Sequence, residues 1–277
     1  MKKFIKERFP LIFRLLKNIY TSTSYYRNKA QDLYEINELN KIQREKEEVK
    51  IMNEVFDDNY TIQNGPFKGM KYIKRSSGSA LLPKILGSYE EPIQKWVEEV
   101  VEKKKYQNII DIGCAEGYYA CGFAKRLPNS KITAYDIDKE ARKNTAELMK
   151  VNNLTNIEIK AECTHSELNE KSIFNTLVFC DIEGFEKILL DPIEVPNLKN
   201  VDLIIETHDC FISNITEELI SRFYMTHIMR IIVDYPFRVN KYSTPNDCSE
   251  KIMEYITNER RSKYMKFIYM EHINENY

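Results

Sequence analysis

The stretch NIIDIGCAEGYYACGFAKR, residues 108–126, joins a short apolar run to a helical pattern through a turn of small residues. The run NIIDIG is typical of a strand buried on both faces, and YYACGFAKR of a helix that follows it. Gly113 and Gly117 allow a tight turn and a close approach of the backbone to a ligand, and Ala115 keeps the middle position small. Because ligands of an open parallel sheet lie beyond the carboxyl ends of its strands, this turn predicts a ligand site.

The segments around this turn continue the alternation of strand and helix. Six further apolar runs predict strands: KITAYDID, NIEIKAE, NTLVFCDIE, NVDLIIETHD, HIMRIIVDY and KYMKFIYM. Helical patterns lie between most of them, and EPIQKWVEEVVEKKK, with Pro92 near its start, predicts a helix before the first strand. We therefore predict an α/β fold, with a Rossmann-like, seven-stranded, mostly parallel sheet and helices on both faces.

The first 58 residues differ in composition from the rest. FPLIFRLLKNIY and DLYEINELNKIQREKEEVKIMNEVF predict amphipathic helices, and residues 59–90 predict short strands and loops. We divide the chain into a helical extension, residues 1–58, and a main domain, residues 59–277. The extension is expected to pack on its own domain or on a second subunit, which favours a homo-oligomer. The alternative is a helix on a membrane surface, because six basic residues surround its apolar ones: Lys2, Lys3, Lys6, Arg8, Arg14 and Lys17.

Composition excludes several classes of protein. The formal net charge of −1 argues against a nucleic-acid partner, since such proteins normally carry a basic excess. No apolar run approaches the roughly 18 residues of a membrane span, and the N-terminus lacks the features of a signal peptide. The six cysteines form no CxxC pair. We expect a cytoplasmic protein, at the inner face of the membrane if the extension binds there.

Two acidic residues suggest which ligand the turn holds. Asp111 directly precedes the turn, where its carboxylate would repel a pyrophosphate but suits an ammonium group. Asp136 ends the second strand, where a carboxylate can accept hydrogen bonds from both ribose hydroxyls. A nucleoside that carries an amine and no phosphate is S-adenosylmethionine. DIGCAEGYYACG followed by AYDID resembles the first two motifs of class I methyltransferases, and this resemblance implies S-adenosylmethionine as the cofactor.

A second resemblance concerns the end of the fourth strand. CDIEGFE resembles the Asp-x-Glu-Gly-x-Glu element of FkbM-like methyltransferases, and GSYEEPI and Ala115 also look like that family. The resemblance covers roughly residues 85–210; the long charged extension and the loop YPFRVNKYSTPND depart from it. It implies transfer of a methyl group to a hydroxyl oxygen of a sugar, a glycan intermediate or a small hydroxylated metabolite. Two alternatives stay open: a protein or lipid-headgroup acceptor at a membrane, and a non-catalytic subunit with this fold.

The residues at the strand ends agree with oxygen chemistry. Asp181 and Glu183 follow the fourth strand, and Glu206, His208 and Asp209 end the fifth. An alcohol must lose or loosen its proton to attack, and His208 can be the general base, oriented by Asp181 or Glu206. Alternatively Asp181, Glu206 and Asp209 bind Mg²⁺ or Mn²⁺, which acidifies a coordinated oxygen. We prefer the metal, because so many carboxylates would otherwise repel each other.

Three further acids, Glu90, Glu183 and Glu186, receive separate predictions. Glu90, before the first helix, is expected to act in catalysis more than in donor binding. Glu183 is also a candidate cap for the helix that follows it, and Glu186 is interpreted as a solvated helix residue. The residues expected to contact the cofactor are Asp111, Gly113, Cys114, Ala115, Gly117, Tyr118, Asp136, Ile137, Glu162 and Asp181.

Overall fold

The computed structural model describes residue 31 and residues 38–234, 242–261 and 263–273. The chain divides into two compact units, Met1–Asn53 and Glu54–Tyr277. Helix α1 covers residues 38–56, which confirms the predicted charged helix, and its Leu39, Ile42 and Val49 are exposed. The basic segment of residues 2–17 lies outside the described residues, as does most of the loop YPFRVNKYSTPND. No helix in the described ranges is long and apolar enough to cross a membrane.

The second unit alternates helices and strands. Its helices are α2 (Leu81–Leu86), α3 (Glu91–Lys103), α4 (Tyr118–Arg126), α5 (Lys139–Val151), α6 (His165–Lys171), α7 (Glu186–Leu189), α8 (Ile215–Phe223) and α9 (Glu250–Thr257). Its strands are β1 (Asn108–Ile112), β2 (Lys131–Tyr135), β3 (Ile157–Lys160), β4 (Thr176–Cys180), β5 (Asp202–Thr207), β6 (His227–Asp234) and β7 (Met265–His272). A 3₁₀ turn, Pro196–Asn200, precedes β5.

The seven strands form one sheet in the order β3-β2-β1-β4-β5-β7-β6. Strands β1 to β5 are parallel, and β7 runs antiparallel between β5 and β6. The predicted seven-stranded, mostly parallel sheet is thereby confirmed. The central strands β4 and β5 are buried along their whole length, as their continuous apolar runs require, whereas β6 lies at an edge and is partly exposed.

The segment before α3 differs from the prediction of strands and loops alone. Residues 81–86, LLPKIL, form helix α2, which is buried throughout and ends at Gly87 in the left-handed conformation (φ 87°). Apart from Lys84 this six-residue helix is apolar, and it is buried on all sides, so it shows no amphipathic period and the sequence pattern could not distinguish it from a strand. The expected strand pairing in this region is confined to the single bridge between Thr61 and Lys71.

A buried ion pair fixes the segment that leads into α2. Lys84 is 2% exposed and Glu116, from the turn before α4, is fully buried; the lysine Nζ donates to the glutamate Oε1. Glu116 also accepts hydrogen bonds from the Tyr72 hydroxyl (2.5 Å), the Ser76 hydroxyl (2.7 Å) and the Ser77 N–H (2.9 Å). Burial alone would raise the pKa of Glu116, but Lys84 and the hydroxyl groups of Tyr72 and Ser76 lower it. The segment of residues 72–84 is thus tied to the turn between β1 and α4.

We expect Lys84→Met to lower the free energy of unfolding by about 3–5 kcal/mol, because it leaves the Glu116 carboxylate buried without its cation. Denaturant unfolding followed by circular dichroism measures the change. Lys143→Met is the matched control: its pair with Glu140 is exposed (60% and 63%), and such pairs contribute about 0–1 kcal/mol.

The double variant Lys84→Met/Glu116→Leu should recover part of the loss, because it removes both charges together. Equal effects of Lys84→Met and Lys143→Met would show that the buried pair does not stabilise the fold.

Candidate active site

The carboxyl ends of the parallel strands meet at one edge of the sheet. Ile112 of β1 pairs with Tyr135 of β2 on one side and with Cys180 of β4 on the other, and Cys180 pairs with Ile205 of β5. The residues that follow these four strands therefore lie side by side. This register brings together the acidic residues that the sequence placed at separate strand ends.

Gly113 fits between two neighbouring strand ends. Its φ is 85°, and a Cβ at this position would lie 1.8 Å from the carbonyl oxygen of Asp181. Its N–H and that of Cys114 both donate to the carbonyl of Tyr135 at 2.9 Å. Any side chain would push β1 away from β4, so a glycine is required for the strand ends to meet.

The next residues shape the turn around the carboxylate of Asp136. Ala115 has a positive φ of 48°, and its N–H donates to Asp136 Oδ2 at 2.9 Å. The other oxygen of Asp136 accepts from the Asp138 N–H at 2.8 Å. A carboxylate offers about four lone-pair sites, so these two bonds fix the group and leave further acceptor capacity. Gly117, at φ 92°, then starts α4.

A cavity of about 1000 Å³ opens along this edge, at the upper end of the usual range for ligand pockets. All the predicted cofactor residues line this cavity except Gly117, which precedes the first residue of α4. Of the predicted catalytic and metal-binding residues, Asp181, Glu206 and His208 line it, and Glu90 and Asp209 do not.

Asp111 is a buried carboxyl in the wall of this cavity. It is 2% exposed, and its Oδ2 has no hydrogen-bond partner in the described structure. Burial raises the pKa of Asp111 to about 8; the N–H of Ala120 opposes the shift, and the charges of Asp181, Asp136 and Glu90 add to it. A buried carboxyl with an unused oxygen is suited to receive a cationic group of a ligand.

The end of the cavity next to β4 and β5 is built around Arg261, a residue that the sequence did not indicate. Its guanidinium is 12% exposed and is surrounded by four buried carboxylates, from Glu90 (Nη2 to Oε1, 2.8 Å), Asp234 (Nε to Oδ2, 3.0 Å), Glu259 (Nε to Oε2, 3.0 Å) and Glu206. Burial raises the pKa of Glu206, as does the charge of Asp181, while Arg261 opposes the shift.

The antiparallel direction of β7 explains why Arg261 reaches this place. Met265 at the start of β7 pairs with Asp234 at the end of β6, so the loop before β7 lies at the same edge as the ends of the parallel strands. The sequence predicted the last strand but not its direction or its place between β5 and β6. No local pattern in NERRSKY marks Arg261 as a site residue.

Glu90 has a different place from the one expected. It is 1% exposed, it accepts hydrogen bonds from the Tyr119 hydroxyl and from Arg261, and its N–H donates to Glu259 Oε1 at 2.9 Å. Its φ of 49° is unusual for a residue other than glycine. Glu90 therefore contacts Arg261 and α4 and does not line the cavity, and its role in catalysis stays a prediction.

His208 is held by Glu186, and this corrects the expectation that Glu186 is solvated. Glu186 is fully buried, and its Oε1 lies 2.9 Å from His208 Nδ1. His208 Nε2 lies 3.5 Å from Asp181 Oδ1 and 3.4 Å from Glu183 Oε2. Burial would lower the pKa of His208, but the hydrogen bond to Glu186 and the three acids outweigh it and raise the pKa. Neither Asp181 nor Glu206 orients the ring through Nδ1.

Two further expectations for the acids are not met. Asp209 turns away from the cavity: its carboxylate accepts from the Thr216 N–H (3.0 Å) and from Lys266 Nζ (2.9 Å). Glu183 does not cap a helix, because α7 begins only at Glu186 and has no side-chain cap. The expected metal set of Asp181, Glu206 and Asp209 is therefore not brought together. The group that does converge is Asp181, Glu206 and His208, whose ligand atoms lie within 4.8 Å of one another.

Comparisons with known proteins address the class of the chain. The model of the methyltransferase small domain family matches residues 95–179, from α3 to β4. The curated proteins include no match to the chain. The match, the strand order, Asp111 in β1 and Asp136 after β2 support a class I S-adenosylmethionine-dependent methyltransferase.

Three solved structures that resemble the chain are distant from it in sequence. An rRNA methylase from Streptococcus thermophilus is 12% identical over 66% of this chain and 98% of its own, with a TM-score of 0.44. An O-methyltransferase from Thermotoga maritima is 16% identical over 68% of both chains, with a TM-score of 0.43. TrmN from Thermus thermophilus is 12% identical over 64% of this chain and 48% of its own, with a TM-score of 0.41. At these values the similarities carry no information about the acceptor.

The residues of the cavity fit S-adenosylmethionine. The unused Oδ2 of Asp111 would accept from the ammonium group, and the remaining acceptor sites of Asp136 would take the ribose hydroxyls. Ile137, beside Asp136, is 85% exposed on the cavity wall and offers an apolar surface for the adenine. These assignments remain predictions for the individual residues.

We expect Asp136→Ala to weaken S-adenosylhomocysteine binding by about 10- to 100-fold, because charge-assisted hydrogen bonds contribute about 1.5–3 kcal/mol each. Isothermal titration calorimetry measures the dissociation constant. Glu140→Ala, an exposed acid of α5 outside the cavity, should bind as the wild type does. Unchanged affinity of the Asp136 variant would place the ribose elsewhere.

Binding should also depend on pH through Asp111. The pKa of this carboxyl is raised to about 8, so the free protein holds it protonated below that pH, whereas an ammonium group favours the ionised form. Affinity for S-adenosylhomocysteine should therefore rise from pH 6 towards pH 8, by up to about tenfold per pH unit, and then level off. In Asp111→Asn the affinity should be weak and lack this rise; a rise that persists in the variant would assign it to another group.

Proposed function

We propose that the chain transfers a methyl group from S-adenosylmethionine to a hydroxyl oxygen of a neutral, sugar-like acceptor, with His208 as the general base. The observation that supports this most directly is the position of His208. The ring is 2% exposed, its Nδ1 is engaged by Glu186, and its Nε2 faces Asp181 and Glu183 in the cavity wall. A buried imidazole with one nitrogen bound and the other directed into a cavity is the usual arrangement of a general base.

The chemistry needs a group that removes a proton from oxygen. When bound, S-adenosylmethionine would supply a methyl group on a sulfonium centre: the acceptor oxygen would take the methyl carbon, the sulfur–carbon bond would break, and S-adenosylhomocysteine would leave. As the new oxygen–carbon bond forms, the hydroxyl proton passes to His208 Nε2. Asp181 and Glu183 stabilise the resulting imidazolium through their charges, at 3.5 and 3.4 Å. The protein adds the fixed geometry of the strand ends, which holds base and acceptor in place.

The charge of the cavity favours an acceptor without phosphate groups. Its wall contains eight carboxyl groups: Asp111, Asp136, Asp138, Glu162, Asp181, Glu183, Glu206 and Glu259. Three basic residues, Lys84, Arg260 and Arg261, line it as well, but Lys84 is paired with Glu116 and Arg261 with four acids. A phosphodiester would meet excess negative charge there, so we propose that the acceptor is not a nucleic acid.

Exposed aromatic side chains favour a sugar. Phe185 is 62% exposed and Phe211 is 56% exposed, and both line the cavity beside the carboxylates. Carboxylates accept hydrogen bonds from hydroxyl groups, and exposed aromatic faces pack against the apolar face of a sugar ring. The element Asp181-Ile182-Glu183-Gly184-Phe185-Glu186 is also the part that resembles FkbM-like methyltransferases, which act on such hydroxyl groups. We propose that the chain is FkbM-like in this sense.

A divalent metal ion is the alternative means of activating the hydroxyl. Asp181, Glu206 and His208 lie close enough to share an ion. However, Arg261 donates to Glu206, and a second cation beside this guanidinium would be repelled. Arg261 also supplies the positive charge that these carboxylates need. We therefore propose that the reaction proceeds without Mg²⁺ or Mn²⁺.

The other interpretations of the sequence are tested by different observations. A protein or lipid-headgroup acceptor at a membrane would depend on residues 1–20, which lie outside the described residues, and deletion of that segment followed by vesicle binding tests it. A non-catalytic subunit would fold normally and fail to bind S-adenosylhomocysteine.

We expect His208→Asn to lower methyl transfer by about 10²- to 10⁴-fold while S-adenosylhomocysteine affinity is unchanged, because the base acts on the acceptor and not on the donor. Transfer from tritiated S-adenosylmethionine to a panel of methyl glycosides measures turnover, and calorimetry measures affinity. His165→Asn is the matched control, since His165 also lines the cavity but its Nε2 lies 3.0 Å from the carbonyl of Ile188.

Equal losses in both histidine variants would contradict the role of His208 as the base. Loss of wild-type turnover after treatment with a chelator, restored by Mg²⁺ or Mn²⁺, would support the metal instead.

A further inference from the structure

Glu186 is a buried acid whose position fold stability does not explain. It is fully buried, yet only one of its two oxygens is used: Oε1 accepts from the Ile182 N–H at 3.0 Å and contacts His208 Nδ1 at 2.9 Å. Oε2 has no hydrogen-bond partner among the described residues. Leaving a buried carboxylate oxygen unsatisfied destabilises a protein, so a role other than stability is indicated.

The backbone before α7 is shaped to bring this side chain back under the end of β4. Glu183 has a φ of 55° and Gly184 a φ of 110°, so the chain reverses directly after Ile182. A Cβ on Gly184 would approach Ile212 Cδ1 to 3.2 Å, which leaves little room for any larger residue. The reversal exposes Glu183 to the cavity and returns Glu186 to the buried side, next to His208.

The contact between Glu186 and His208 determines which nitrogen of His208 carries the proton in the neutral ring. Glu186 Oε1 already accepts from the Ile182 N–H, so it can only accept from the ring, and Nδ1 must donate. The neutral ring then has its lone pair on Nε2, the atom that faces the cavity. Phe211 stacks on the ring at 5.7 Å between centroids and 9° between planes, which restrains the orientation further.

We propose that Glu186 is a positioning residue: it holds neutral His208 as the Nδ1–H tautomer, so that Nε2 is available to take the proton of the acceptor hydroxyl. The inference rests on the proposed function, in which His208 is the base. It also assigns distinct tasks to the three acids of the Asp-x-Glu-Gly-x-Glu element: Asp181 and Glu183 lie beside Nε2, and Glu186 binds Nδ1.

Nitrogen-15 spectroscopy of the histidine side chains tests the proposal without an acceptor. The chain has only four histidines, and His208→Asn assigns the signal of His208. At alkaline pH, where the ring is neutral, the wild type should show the Nδ1–H tautomer. Glu186→Gln should retain it, because the amide oxygen can accept from both Ile182 and His208. Glu186→Leu should lose it, and turnover on the best methyl glycoside should fall by about 10²- to 10⁴-fold, as for loss of the base.

The outcomes separate this inference from the proposed function. A wild-type ring in the Nε2–H form, or a tautomer unchanged in Glu186→Leu, would overturn the positioning role. Retained turnover in His208→Asn would instead refute the general base, while the tautomer would still report the Glu186 contact. If Glu186→Leu does not fold, the wild-type tautomer and the turnover of Glu186→Gln decide the matter. The wild-type ring should be in the Nδ1–H form and Glu186→Gln should keep full turnover. Turnover of Glu186→Gln as low as that of His208→Asn would overturn the positioning role.

Discussion

The guanidinium of Arg261 stabilises the carboxyl edge of the sheet. Four buried carboxylates from different parts of the chain surround it: Glu90 precedes α3, Glu206 lies in β5, Asp234 ends β6, and Glu259 lies in the loop before β7. Buried acids at these positions would repel each other without a cation, and a buried charge left unpaired costs several kcal/mol. The arginine therefore lets the strand ends, the start of α3 and the loop before β7 approach one another. Its own pKa is raised because the charges of Glu206 and Glu90 outweigh the effect of burial.

The arrangement divides the cavity into two chemically different ends. At the ends of β1 and β2, backbone groups make the main contacts. Gly113 packs closely against the carbonyl of Asp181, and the N–H groups of Ala115 and Asp138 donate hydrogen bonds to the Asp136 carboxylate. Around β4 and β5 the side chains dominate, with His208 between Glu186 on one nitrogen and Asp181 on the other. We propose that the first end holds a nucleoside with an amine and that the second moves a proton. Asp181 belongs to both, because its backbone packs on the glycine turn and its carboxylate faces the histidine.

The sequence was most informative where a function depends on local backbone geometry. The turn at residues 113–117 and the acids Asp111 and Asp136 could be selected because glycine at the end of a buried strand, followed by a helix, has few structural explanations. The strands could be predicted from their apolar runs, most clearly β4 and β5, which are covered on both faces. The same patterns missed α2, a short helix that is buried on all sides and lacks an amphipathic period, and they could not give the antiparallel direction of β7.

The sequence by itself thus determined the class of fold, the glycine turn after β1 and the set of acids at the strand ends. Only the tertiary structure decided what each of those acids does. Glu186 looked like a solvated helix residue, but the reversal at Gly184 buries it against His208. Asp209, one residue beyond His208, is instead held by Lys266 and Thr216, and Arg261 enters the site because β7 starts at that edge. The physical reason is that contacts between side chains depend on long-range strand order and on turn conformation, which have no local pattern in the sequence.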